Sequence, residues 1–282
     1  MDDSYEIGHR LIVVVPDKTA EAMREAQAAS EASDESFAAK IAKSVFSFYT
    51  EPFAITLGKQ AIELIKTIMD ALDKGADLTT LSYSESKSLK LEFPPGHPRE
   101  NVVYAQHPAN PLVYYTASSF HRQAFEHKFA EVITLLSSLG ANEIKVEHVS
   151  GWDQDFSASL GISAPTQDSA SAGVGKKGAE KSSVLFEAKL TGHDSPSIPE
   201  NLTWYPHESL WQAVATARVN NGLKNFNLSL TYSDDYGLNA SFKATVKGTG
   251  LDLGGKFEEH QATVWKITGT FGPASIQGVA DV

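Results

Sequence analysis

The sequence predicts an α+β fold: an N-terminal helical segment plus a mainly antiparallel sheet with helices on one face. Three patterns predict it. Residues 1–82 hold long stretches rich in Ala, Glu and Lys with few helix breakers. Period-two runs recur from residue 83 onward. Between those runs stand two segments of helical character, one of them with a continuous apolar stripe. The expected division is therefore a helical region at 1–82 and a sheet domain at 83–282.

The elements follow in order. Leu11–Val15 is a β-branched apolar run closed by Pro16, which predicts a short buried strand. Helix is expected from about Thr19 to Phe48, with a break near Ser33 and Asp34, and Pro52 ends it. A second helix is expected over Phe53–Lys74, where Ile55, Ile62, Ile65, Met69 and Leu72 form a stripe and Gly75 supplies the stop. Ser88–Phe93 alternates as a half-buried strand, and Val102–Gln106 is an apolar strand between Pro-rich turns.

From Ser118 the signal sharpens. Ser118 or Ser119 caps a helix whose stripe is Phe125, Phe129, Val132, Leu136 and Leu139, and Gly140 suits its left-handed C-terminal residue. Glu143–Val149 alternates as a strand, as does Val184–Leu190. Pro206 opens another helix that closes at Asn220, Asn221 and Gly222. Asn225–Tyr232 alternates apolar with polar, and Thr263–Phe271 reads as a closing strand. Taken together, residues 102–232 give the order βαββαβ, that of a ferredoxin-like sheet, extended by C-terminal strands. Residues 236–257 fit two periods. Their glycines favour a hairpin turning at Gly248–Gly250 over a helix, since each glycine inside a helix costs roughly 1 kcal/mol.

Composition narrows the function. There is no cysteine, so disulfides, thiolate metal sites and cysteine nucleophiles are excluded. Acids outnumber bases 35 to 24, a net charge of −11, which disfavours a nucleic-acid partner. The acidic N-terminus and short apolar run lack the features of a signal peptide, and a soluble cytoplasmic protein is expected.

Candidate chemistry is sparse. Residues 173–178, GVGKKG, match the glycine spacing of a dinucleotide turn. No strand precedes them and no helix follows, so Gly173, Gly175, Lys176, Lys177 and Gly178 read as part of a flexible insertion at about 160–182. His107, His121 and His148 fall on or beside apolar faces. Were those faces to meet, three imidazoles would hold a zinc ion and Asp153 would act as ligand or base, giving a metal-dependent hydrolase. The competing reading is three ordinary histidines bonded to backbone. His127 and Glu131 read as a surface pair at i, i+4, and Asp234-Asp235-Tyr236-Gly237 as a turn.

These patterns lead to a non-enzymatic interaction or assembly protein, with no cofactor and with self-association or a protein partner. Aromatic groups for contact stand at Phe46, Phe48, Tyr49 and Phe53, and at Trp204, Tyr205 and Trp211. A sharper form is a membrane-active, pore-forming effector that oligomerises through amphipathic C-terminal strands carrying Phe242, Val246, Leu251, Leu253, Phe257 and Trp265.

Overall fold

The computed structural model describes residues 11–31, 54–73, 78–153, 156 and 184–273. The glycine loop at 173–178, most of the insertion around it, and the aromatic group at 46–53 lie outside the described residues. The chain divides into two compact units: Met1–Gln123 with Asp235–His260, and Ala124–Asp234 with Gln261–Val282. Residues on either side of position 82 share one sheet in the first unit.

That first sheet has the order β2-β1-β3-β4, built from β1 (Leu11–Val15), β2 (Thr79–Ser82), β3 (Val103–His107) and β4 (Asn110–Thr116). Strand β1 pairs in parallel with β2 and antiparallel with β3. Its Val13, Val14 and Val15 are wholly buried, as a central strand covered on both faces requires. Helices α1 (Asp17–Glu31) and α2 (Ala54–Asp73) belong to the same unit. In α2, Leu64, Ile65, Ile68 and Met69 are buried beside Val13 and Val15 in one apolar cluster. Ile12, Val14, Tyr104 and Tyr114 form a second cluster.

Residues 88–93 do not form the expected strand. Tyr83–Ser88 is a short helix, α3, opened by a capping box: Ser82 Oγ accepts from Glu85 N–H, and Glu85 Oε2 accepts from Ser82 N–H. Lys90 then turns left-handed at φ 54°, and only Glu92 bridges to Val113.

The second sheet has the order β6-β5-β8-β7, with every neighbouring pair antiparallel. Its strands are β5 (Ala141–Ser150), β6 (Val184–Lys189), β7 (Asn225–Tyr232) and β8 (Thr263–Phe271). Helix α4 (Phe120–Ser138) buries its stripe here. Phe125, Val132, Leu136 and Leu139 are fully buried, and the Phe125 and Phe129 rings meet Trp265 edge-on at 4.7 and 5.4 Å. Helix α5 (Ser209–Asn221) ends at Gly222 in the left-handed region, φ 63°.

The ferredoxin-like order for 102–232 is replaced by two sheets. Strand β3 is held by β1 on one side and by β4 on the other, so it never joins β5, β6 and β7. The last strand, β8, enters between β5 and β7.

The C-terminal hairpin is likewise replaced. Ala240–Lys247 is a helix, α6, whose N-cap Asn239 accepts from the backbone N–H of Ser241 and Phe242. The glycines of 236–257 all lie outside it, Gly237 before it and the other four after it, beginning with the C-cap Gly248.

Candidate functional site

The three candidate histidines fall in two units: His107 and His121 in the first, His148 in the second. His107 is 2% exposed at the end of β3, and its Nδ1 accepts from Ala109 N–H at 3.0 Å. His121 is wholly buried at the start of α4, with Nε2 2.8 Å from Leu238 O, so that nitrogen carries the proton. His148 Nε2 lies 3.1 Å from Gly151 O. Each has a ring nitrogen engaged by backbone. Among the described residues no group of three His, Asp or Glu side chains is placed to hold a metal ion. Asp153 Oδ1 faces Phe156 N–H at 3.4 Å. The neighbour that His121 does meet is His260, ring to ring at 5.0 Å.

His107 also lines a cavity of about 220 Å³ in the first unit, with Leu11, Ala105, Phe120, Leu238 and Tyr236 among its walls. The Tyr236 wall is set by the turn read from the sequence. Asp235 Oδ1 accepts from Gly237 N–H at 2.9 Å and Oδ2 accepts from Asn239 Nδ2 at 3.0 Å. Those two hydrogen bonds, the Asn239 one first, hold the Asp235 carboxyl below the ordinary value of 3.8, with His260 and His121 nearby adding to the effect. Tyr236 itself is left-handed, φ 48°, and its ring meets Phe120 edge-on at 5.7 Å.

The residues proposed for membrane contact or assembly are mostly buried. Val246, Leu251 and Phe257 are buried in the first unit. Phe242 and Leu253 pack against the cluster that contains Val246 and Leu251. Trp265 is wholly buried in the second unit, its Nε1–H donating to Trp152 O at 2.8 Å. No helix of the described residues is long and apolar enough to cross a membrane.

Two polar networks lie buried in the second unit; the first includes Glu131, which His127 Nε2 does meet at i, i+4, 3.9 Å from its Oε2, but not on a solvated face. Glu131 is buried rather than solvated: its carboxylate accepts backbone N–H bonds from Thr203, Trp204 and Tyr205, each at 2.8 Å. On the same helix, Lys128 donates to Thr231 O, pairs with Glu208 and lies 4.9 Å from the centre of the Trp204 ring. Together they pin the 203–208 turn to α4. Arg218 is also fully buried, and its guanidinium donates to the carbonyls of Leu139, Leu223 and Gly272 at 2.9 to 3.0 Å.

The remaining feature is an edge. Of the four described edge strands, three carry a safeguard against stray pairing. Strand β2 is four residues long. Strand β4 contains Pro111, and Glu92 exchanges backbone bonds with its Leu112 and Tyr114. Strand β6 carries Glu187 and Lys189, and its register shifts. Strand β7, NFNLSLTY, has eight residues, no charge and no proline, and its register on β8 runs unbroken from Asn225 to Tyr232. It pairs with β8 alone among the described strands. Asn225, Asn227, Ser229 and Thr231 are exposed, while Phe226, Leu228, Leu230 and Tyr232 are buried. The missing charge is readable in the sequence; that the strand lies at an edge is not. No family model, curated protein or solved structure matches the chain.

Proposed function

We propose that the protein is a non-enzymatic assembly protein whose copies associate through β7. The reading is carried by one observation: among the described edge strands β7 alone has no charged residue, proline or bulge and is not short, with the Lys128 bond to Thr231 O occupying its C-terminal end. Strand addition uses such an edge, with backbone groups supplying affinity and alternate side chains supplying fit.

A second copy of this chain is the partner that fits. In an antiparallel pair, side chains directly opposite one another share a face. A two-fold axis at Leu228 sets Asn227 against Ser229 and Phe226 against Leu230. An axis at Ser229 sets Asn227 against Thr231 and Leu228 against Leu230. Both registers match polar with polar and apolar with apolar, with no charge repulsion in the strand. Helix α5, which contacts β7, exposes Leu210 and Val219 and adds apolar surface. Each backbone bond contributes about 1 kcal/mol net against an association cost of at least about 4 kcal/mol. Association is therefore expected to depend on concentration.

Light scattering across a concentration series tests this. The mass should rise from the 30.5 kDa of one chain toward twice that value. The variant Asn227→Glu/Ser229→Glu should stay at one chain. A glutamate in place of Ser229 would face Lys266 within its own sheet, so the fold is spared, but would face like charge across the dimer. A wild-type chain that stays monomeric at every concentration refutes the reading. The membrane-active form requires Val246, Leu251 and Phe257 to leave their buried positions. Its test is dye release from anionic liposomes, and intact liposomes at every lipid composition refute that form while leaving the dimer untouched.

A further inference from the structure

We infer that Lys128 is a gate on the β7 edge: its ammonium holds the outward carbonyl of Thr231 and so limits how far a second copy pairs along the strand. The gate rests on the assembly reading above and adds the regulation of that same contact.

One bond fixes which backbone groups face outward. Phe271 N–H donates to Lys224 O at 2.8 Å, and Lys224 stands opposite Phe271 in the register that sets Asn225 against Thr270. In an antiparallel pair, a residue that bonds across turns both its N–H and its C=O toward the partner strand, and the next residue turns both away. Phe226, Leu228, Leu230 and Tyr232 therefore direct their backbone groups at β8. Asn225, Asn227, Ser229 and Thr231 direct theirs away from it, toward the edge.

Thr231 is the last of these, and its carbonyl is already engaged. Lys128 Nζ donates to Thr231 O at 2.8 Å. A bond to an outward carbonyl places the ammonium beyond the strand, where the N–H of a second copy would come. The lysine is itself held in place: its side chain is 8% exposed, pairs with Glu208 and lies over the Trp204 ring. Glu131 in turn fixes the backbone of Thr203, Trp204 and Tyr205. A lysine at a sheet edge is a known safeguard against stray pairing. This one guards the C-terminal end of β7 and leaves Asn225, Asn227 and Ser229 to pair.

Symmetry sets the effect. With the axis at Leu228, Thr231 faces Asn225 of the second copy; with the axis at Ser229 it faces Asn227. In either register that asparagine N–H would donate to Thr231 O, the oxygen Lys128 occupies. The two-fold axis repeats the loss at the other end, so two backbone bonds of the dimer are withheld.

Lys128→Met keeps an unbranched side chain and removes the donor. Light scattering across a concentration series should show its dimer forming at a concentration about tenfold lower than the wild type needs, or lower still. Lys128→Arg retains a charged donor and should not tighten the dimer. A measurement on the wild type needs no substitution. On concentration, the Ser229 N–H should exchange more slowly and the Ser229 carbonyl NMR signal should move, while the Thr231 carbonyl signal stays in place. A Lys128→Met dimer no tighter than the wild-type dimer overturns the gate and leaves assembly through β7 standing. So does a Thr231 carbonyl signal that moves with that of Ser229. A wild type that stays monomeric while Lys128→Met dimerises keeps the gate and refutes association of the native chain. Monomers in both overturn both.

Discussion

Asp235 and Arg218 are the side chains whose removal has the most readable consequences. The Asp235 carboxyl is held below its ordinary value, so its ionised form supports the 235–239 turn above that value. The support is lost as pH falls through the lower folded-state value. NMR signals of Tyr236 and Gly237 should therefore broaden or shift on acidification from about pH 5 to about pH 2. Asp235→Asn keeps an acceptor for Gly237 N–H and should flatten that response. Arg218 is a different case, a fully buried guanidinium spread over carbonyls from the ends of α4, α5 and β8. Arg218→Met leaves those acceptors buried without donors and should cost about 3 kcal/mol, read as a lower urea midpoint. Arg218→Lys should recover little, since one ammonium cannot span the three carbonyls. Neither role is legible from composition. His127 and Glu131 read as a wet i, i+4 pair because the turn that supplies three N–H donors to Glu131 lies 72 to 74 residues on.

Strands and helices are legible where a short window carries the whole signal. The bounds expected for β7 and β8, Asn225–Tyr232 and Thr263–Phe271, are the bounds observed, because strict alternation needs only local sequence. The α4 stripe is readable for the same reason. Residues 236–257 mislead because the window is too long: glycines beyond Lys247 count against a helix that stops before them. Strand β4 is hidden because Pro108, Asn110 and Pro111 mark its start as loop, although LVYYT is rich in β-formers. Without β4, β3 is assigned to the wrong sheet. Within the second sheet, Gly269 leaves no room for a side chain. A Cβ there would be driven into the Glu143 carbonyl and the Phe226 ring, so close approach of β5 and β7 to β8 depends on it. Gly269→Ala should lower stability by about 1–3 kcal/mol in a urea titration.

The whole chain carries a net charge of −11, and that sets how its copies meet. Two such molecules repel at long range, while the β7 strand itself is uncharged. Raising salt should therefore strengthen association by screening the repulsion, and the light-scattering mass at fixed concentration should increase with ionic strength. A salt-driven dissociation would instead indicate ion pairing at the contact. The absence of cysteine opens assembly through β7 to a site-specific measurement. In an antiparallel β7 pair about a two-fold axis near its centre, Ser229 lies beside its own symmetry mate or beside Asn227. Ser229→Cys should give a covalent dimer under mild oxidation when the axis falls at Ser229, and a mixture of Asn227→Cys and Ser229→Cys chains should give one when it falls at Leu228, while Glu187→Cys on the opposite sheet edge should not. Equal cross-linking at both edges, or none in either β7 experiment, would contradict assembly through β7.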